Sequence, residues 1–128
     1  QGNLNNPTSE FLRNFIFDQC RLLGCVGLRE NTFRPFTPTK TSVVLLQKWK
    51  SEKEKTTDYN IFMADSEKPG KDNSGNYIYL KDKDGNFINE KKQIIDVLKT
   101  PRVVDHDLDQ IIDEFDNFKK KEKINFNE

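Results

Sequence analysis

Two short apolar runs, separated by a loop that contains two prolines, constrain the fold of this chain more than any other feature. The runs are residues 22–28 and 42–49. Each run is too short for an ordinary helix, and the second contains two adjacent valines, so both are predicted to be buried strands. At 128 residues the chain has the length of a single domain with one modest core.

The loop at residues 29–41 has an unusual composition for a connection. It contains two prolines, two phenylalanines, and three cations against one carboxylate. Prolines stiffen a loop, and a stiff loop can hold an aromatic ring away from a sheet. A rigid ring flanked by cations suits a ligand with a flat face and a negative backbone, such as a nucleic acid. The alternative is that Phe33 and Phe36 simply pack over the exposed end of the strand pair.

Further elements are predicted on either side of this strand pair. Asn6, Pro7 and Glu10 have the spacing of a helix start, and Asp107 with Gln110 has that of a capping box. The predicted elements are a helix to about residue 21, strands at 22–28, 42–49 and 59–64, a hairpin around 82–86, a helix at about 89–98 and a last helix from 107. The last helix is expected to carry an apolar stripe with helical spacing, formed by Leu108, Ile111, Ile112, Phe115 and Phe118. No internal repeat is evident.

The overall charge gives the chain no general attraction to polyanions. Twenty-one basic and twenty-one acidic residues cancel, so any attraction to DNA must come from local patches. The sequence has neither an apolar run near the length of a membrane span nor a visible signal peptide, so we expect a cytoplasmic protein without membrane contact. Because the sequence begins with Gln1 rather than Met, we also expect it to be part of a longer protein.

No metal site is expected from the sequence. A metal site at Cys20 and Cys25 would need further ligands, and the only histidine, His106, is far away in sequence. The two cysteines are therefore predicted to be buried free thiols. A calcium loop around Gly85 would place Leu80 and Lys91 at its two end ligands, and neither can serve. The acidic residues around His106 are expected to stabilise the N-terminus of the last helix through its dipole. The alternative is that they contact a protein partner.

Four stretches of the chain together resemble one known family. They are residues 28–33, 39–48, 66–76 and 105–108, and they follow one another in the order that the family has. The chain resembles the C-terminal portion of the modification subunit of type I restriction-modification systems, which is an adenine-N6 DNA methyltransferase. The resemblance covers most of the chain, and residues 1–4 resemble the end of a preceding strand and loop.

The resemblance implies an α/β fold. Residues 1–50 would supply the last helix and two strands of a Rossmann-like methyltransferase sheet, whose last strand is antiparallel to its neighbours. Residues 51–128 would form a small α+β appendage with a strand, a hairpin and two helices. As an isolated piece, the chain would be α+β and would expose a sheet edge and an apolar sheet face. We therefore expect it to self-associate.

The resemblance also implies roles for individual residues. Phe33 best matches an aromatic residue that stacks on a flipped target adenine, with Phe36 as the fallback, and Arg34 and Lys40 would lie near DNA phosphates. The chain contains neither an Asn-Pro-Pro-Tyr/Phe motif nor a glycine-rich cofactor loop. We therefore assign it no catalytic residue, no cofactor-binding residue and no metal ligand. S-adenosylmethionine would bind only the full-length protein, and this piece would be inactive alone.

The implied partners are DNA and the specificity and restriction subunits of the same system. A different class of function is also open. The acidic helix that carries Asp113 and Glu114, together with its apolar stripe, would then dock the specificity subunit or a second modification subunit. The chain would in that case be a non-catalytic interaction module without contact to the target base.

Overall fold

The computed structural model describes residues 5–126, so the strand end and loop expected at residues 1–4 lie outside the described residues. The elements are a 3₁₀ turn (Pro7–Ser9), α1 (Glu10–Gln19), β1 (Cys20–Leu28), β2 (Thr41–Lys48), a second 3₁₀ turn (Glu52–Glu54), β3 (Phe62–Asp65) and α2 (Leu108–Lys121). Two helices and one open three-stranded sheet make this a mixed α/β structure, and they agree with the predicted α+β class.

The start of α1 follows from its sequence. The side chain of Asn6 accepts a hydrogen bond of 2.9 Å from the backbone N–H of Thr8, and Pro7 opens the 3₁₀ turn that leads into the helix. Asn6 thereby satisfies an amide that the first turn leaves without a partner. The helix ends at Gln19, because Cys20 has the extended backbone of a strand (φ −134°, ψ 145°).

The sheet has the strand order β2-β1-β3. β2 pairs antiparallel with β1, and β3 pairs parallel with it on the other side. The pairing of β1 with β2 shifts by one residue between Leu22 and Gly24, which leaves the fully buried Leu23 as a bulge. Within residues 5–126, the outer edges of β2 and β3 pair with no further strand.

One face of the sheet carries the core. Val26, Leu28 and Phe62 are buried there. Ile111, Phe115 and Phe118 of α2 pack against them, and the rings of Phe115 and Phe118 lie 5.3 and 5.7 Å from that of Phe62. The apolar stripe predicted on the last helix is thus confirmed. β3 and α2 share this core with the strand pair, although both follow residue 50.

The opposite face of the sheet is much more open. Cys25 pairs with Val44 on one side and with Met63 on the other, so these three side chains share that face. The side chain of Met63 is 70% exposed. Cys20 and Cys25 are free thiols, as predicted, but they are only partly buried.

Residues 66–107 hold their shape through tight loops and isolated bridges. The predicted hairpin is reduced to a single bridge between Lys81 and Phe87. The predicted helix at 89–98 is wrong, because the side-chain oxygen of Asn89 accepts hydrogen bonds from the N–H groups of Lys91 and Gln93. This local bonding offers the backbone an alternative to helix formation.

The predicted capping box at the start of α2 is also wrong. The side chain of Asp107 makes no capping hydrogen bond. Its two oxygens instead accept bonds from the hydroxyl of the buried Ser66, at 2.6 Å, and from the backbone N–H of Glu67, at 2.7 Å. The N–H of Leu108 donates to Nδ1 of His106. Asp107 therefore joins the segment after β3 to the start of α2.

Candidate nucleic-acid interface

The loop between β1 and β2, here called the Phe33 loop (residues 29–40), folds into successive turns. The N–H of Arg34 donates to the carbonyl oxygen of Asn31 at 3.0 Å, and the N–H of Phe36 donates to that of Phe33 at 3.0 Å. Asn31 has a left-handed backbone (φ 74°), which asparagine tolerates better than most residues. The peptide bond between Arg34 and Pro35 is cis. The two backbone hydrogen bonds give the loop a defined path.

The two phenylalanines of the loop differ in exposure. The side chain of Phe33 is 46% exposed, whereas that of Phe36 is 92% exposed. Phe36 therefore does not pack over the end of the strand pair. Phe33 keeps about half of its surface against the protein, so its ring is both supported and accessible.

The two cations proposed for DNA phosphates also have different surroundings. Nε of Arg34 donates to the side-chain oxygen of Asn31 at 3.3 Å, and Arg34 is partly buried. Lys40 is exposed and directly precedes β2. The fold thus places all four candidates, the two cations and the two phenylalanines, on one loop at one end of the strand pair.

A distant segment braces the Phe33 loop. Nζ of Lys71 donates to the carbonyl oxygen of Arg34 at 2.7 Å, and the side chain of Asn31 donates to that of Asn73 at 2.7 Å. Arg29 donates to the carbonyl oxygen of Glu67 at 3.3 Å. The sequence pattern gave residues 66–76 no role. Nothing in that pattern shows that they meet residues about forty positions earlier.

Gly75 lies where the bracing segment comes closest to the Phe33 loop. Its backbone has a φ of 89°, in the left-handed region that favours glycine. A Cβ atom at this position would lie 3.3 Å from both Cβ of Arg34 and the backbone nitrogen of Pro35. The glycine thus permits both the turn and the close approach.

The bracing loop shares its sequence motif with one later turn. The motif Lys-Asp-x-x-Gly-Asn-aromatic occurs at residues 71–77 and again at 81–87, a short repeat that the sequence analysis missed. In the first turn, the carboxylate of Asp72 accepts bonds from the N–H groups of Ser74 and Asn76. Asp82 accepts the equivalent bonds in the second turn. The repeated spacing was the signal that could have predicted these turns.

The hydrogen bonds within these turns also set the ionisation of the two aspartates. The backbone N–H of Asn76 lowers the pKa of Asp72 below its ordinary value, and the side chain of Asn86 does so for the pKa of Asp82. Both carboxylates therefore remain charged and bonded to their own turns. Among residues 5–126, no group of three or more His, Cys, Asp or Glu side chains could hold a metal ion.

Comparisons with protein-family models, curated proteins and solved structures give no match to the chain. Of the helices in the described part, none combines the length and apolar character needed to cross a membrane.

Proposed function

We propose that this chain is the C-terminal part of an adenine-N6 DNA methyltransferase of a type I restriction-modification system. In this proposal, the Phe33 loop forms one wall of the pocket for the target adenine. The observation that carries the proposal is the half-exposed ring of Phe33 on a loop fixed by its own turns and by Lys71. A fixed, accessible ring is what stacking on an extrahelical base requires.

The chemistry of the target explains why such a ring is needed. The amino group of adenine cannot be reached inside the stacked duplex, so the enzyme must hold the base outside it. Phe33 would stack on one face of that base, with Phe36 as the fallback. Lys40 and Arg34 would contact the neighbouring phosphates, which position the DNA without reading its sequence.

The open sheet supports the idea that the strand pair belongs to a larger, Rossmann-like sheet. Among residues 5–126 no further strand pairs with the outer edge of β2, and Met63 is largely exposed on the open face. Exposed strand edges and apolar sheet faces are normally covered in a complete protein. In the proposed enzyme, an upstream strand would pair with β2, and further elements would cover the open face.

The proposal assigns the remaining functions to other parts of the enzyme. S-adenosylmethionine and the opposite wall of the adenine pocket would be held by residues outside this chain, so the chain alone would not methylate DNA. The specificity subunit would select the DNA sequence, and the restriction subunit would complete the cytoplasmic complex.

Base stacking can be tested on this chain directly. A DNA duplex that carries 2-aminopurine as a single-base bulge presents a fluorescent base already outside the stack. We expect the chain to quench this fluorescence and the Phe33→Ala variant to lose the quenching, with Phe36→Ala as the matched control. Loss in Phe36→Ala alone would assign the role to Phe36. Equal quenching by the chain and both variants would exclude the stacking role.

A docking function is the second candidate, and one observation favours it. The side chain of Ile112 is 55% exposed on α2, beside the exposed Asp109 and Asp113. An exposed apolar residue flanked by two acidic residues suits a basic protein partner. If Asp113→Lys and Glu114→Lys dissociate the assembled complex while Phe33→Ala leaves methylation intact, the docking function is correct.

A further inference from the structure

Three aromatic rings and three cations form a continuous row beside the Phe33 loop. The ring centroids of Tyr77 and Tyr79 are 6.3 Å apart, and those of Tyr79 and Phe87 are 6.1 Å apart. Lys71 lies over the ring of Tyr77, and Lys81 lies over that of Phe87, at 5.2 and 4.9 Å from the centroids. We call this set, together with Arg102, the cation–aromatic row.

Arg102 lies over the ring of the second turn and over that of Tyr79, which lies between the two turns. Its guanidinium carbon lies 4.6 Å from the ring centroid of Phe87 and 5.5 Å from that of Tyr79. Arg102 and Lys81 are both exposed. Their charges are held over ring faces by cation–π attraction, and their remaining N–H groups can meet a ligand from solvent.

The charges around the row favour an anionic ligand. Residues 71–102 contain seven cations and five carboxylates. Two of those carboxylates, Asp72 and Asp82, each accept three hydrogen bonds from their own turns. A third, Asp96, accepts a bond from the N–H of Leu98 and pairs with Lys99. Arg102 and Lys81 are in contrast directed onto the rings of the row.

The row begins at the Phe33 loop. Lys71 connects the row to the Phe33 loop, because its ammonium group lies over Tyr77 and donates to the carbonyl oxygen of Arg34. At this end of the row, Tyr77 is 56% exposed. A nucleic-acid strand bound at the Phe33 loop would therefore meet the ring of Tyr77 first and then the further cations of the row.

We propose that the cation–aromatic row binds the DNA strand that flanks the base held at the Phe33 loop. Arg102 and Lys81 bind its phosphates, and Tyr77 stacks on an unpaired base or sugar next to the site. Cations interleaved with aromatic rings are the usual surface for a nucleic-acid strand, since they recognise both its charge and its flat faces. This inference rests on the proposed function, from which it takes DNA as the ligand and the Phe33 loop as the neighbouring base site.

The salt dependence of DNA binding tests the phosphate contacts. The probe is the same bulged duplex, end-labelled, with an unpaired extension of ten nucleotides, and its affinity is measured by fluorescence anisotropy over a range of salt. The slope of log affinity against log salt is negative, and removing one cation that binds a phosphate reduces its magnitude by about one. We expect this change for Arg102→Gln and for Lys81→Gln, and none for Lys53→Gln in the second 3₁₀ turn.

The outcomes separate this inference from the proposed function. Unchanged slopes in both Arg102→Gln and Lys81→Gln, or an equal change in Lys53→Gln, would overturn the row as a phosphate site. Lys81→Gln guards against a folding defect in the Arg102 variant. A slope of reduced magnitude in both variants, with 2-aminopurine quenching unaffected by Phe33→Ala, would support the row and reject the adenine pocket.

The ring contact has its own test. Tyr77→Leu removes the aromatic face, and Tyr77→Phe keeps it. We expect the leucine variant to bind the extended probe at least about five-fold more weakly at an unchanged salt slope, because it loses base–aromatic stacking. Wild-type affinity of Tyr77→Leu for this probe would remove Tyr77 from the interface.

Discussion

The ammonium group of Lys71 donates a 2.7 Å hydrogen bond to the backbone carbonyl oxygen of Arg34, directly after Phe33. Thirty-seven residues separate the two in sequence. This bond links the first of the repeated turns to the Phe33 loop. Because it holds the backbone beside the candidate stacking residue, the geometry of that residue depends on a segment to which the sequence pattern gave no role.

Lys71→Met is therefore expected to loosen the Phe33 loop. A hydrogen bond of this kind contributes about 1 kcal/mol, so exchange of the Arg34 and Phe36 amides should become about five-fold faster. Hydrogen exchange followed by NMR measures this directly. Lys81→Met is the control, since Lys81 has the same place in the second turn. Equal exchange rates in wild type and Lys71→Met would show that the bond does not hold the loop.

Gly75→Ala and Gly85→Ala form a matched pair. Both glycines have a left-handed backbone, with φ values of 89° and 87°, so both substitutions add strain of about 1 kcal/mol. Only at Gly75 would the new methyl group crowd the Phe33 loop, because nothing lies within 4 Å at Gly85. Urea denaturation should thus show a larger decrease in the free energy of unfolding for Gly75→Ala than for Gly85→Ala. Equal losses would contradict the contact.

Two glycines of β1 differ in a similar way. A Cβ on Gly24 would lie 2.9 Å from the carbonyl oxygen of Phe62, which is backbone and cannot easily move. On Gly27 it would meet the side-chain oxygen of Asp65, which can rotate away. We expect Gly24→Ala to lower the free energy of unfolding by about 2 kcal/mol, as overpacking does. Gly27→Ala should cost clearly less, and the reverse order in thermal unfolding would refute this interpretation of the β1–β3 contact.

Asp107 should make stability depend on pH. Partial burial acts to raise the pKa of this carboxyl, but hydrogen bonds from Ser66 and the N–H of Glu67 outweigh it and lower the pKa. Its stabilising contribution is therefore complete well above the unfolded value of about 3.9, and it is lost as the pH falls through the lower folded value.

The Asp107→Asn variant tests this dependence. At pH 7 it should be less stable than wild type by roughly 1–2 kcal/mol, and the difference should shrink in acid. Urea midpoints measured from pH 7 to pH 2 provide the comparison. Ser66→Ala combined with Asp107→Asn should cost less than the sum of the two single changes, since both remove the same bond. A constant difference at all pH values would argue against an ionised Asp107.

The open sheet face should make the chain self-associate. Met63 and Ile94 are exposed to similar extents, 70% and 68%, but only Met63 lies on that face. Met63→Lys should shift the mass measured by light scattering towards the monomer, and Ile94→Lys should not. A strictly monomeric wild type at high concentration would exclude self-association through this face.

The local part of the fold was predictable because it depends on neighbouring residues. Asn6 and Pro7 determine the start of the 3₁₀ turn that leads into α1, and the apolar spacing of α2 determines which of its faces meets the sheet. Both apolar runs formed strands as expected, but only β1 is a buried strand. The prediction that the second run is buried is wrong, because β2 lies at the edge of the sheet and none of its residues is buried. The helix expected at 89–98 failed because the side chain of Asn89 takes up nearby backbone amides, a competition that periodicity does not reveal.

The sequence by itself determined the two strands, the aromatic loop between them and the two helices, since hydrophobic spacing and turn residues act over a few positions. Only the tertiary structure decided that Lys71 and Asn73 brace the Phe33 loop, that Asp107 bonds to Ser66 rather than capping α2, and that Arg102 lies over the ring of Phe87. These contacts join residues from 15 to more than 40 positions apart. They form only after the chain has folded, because their geometry depends on the packing of the sheet and the turns around them.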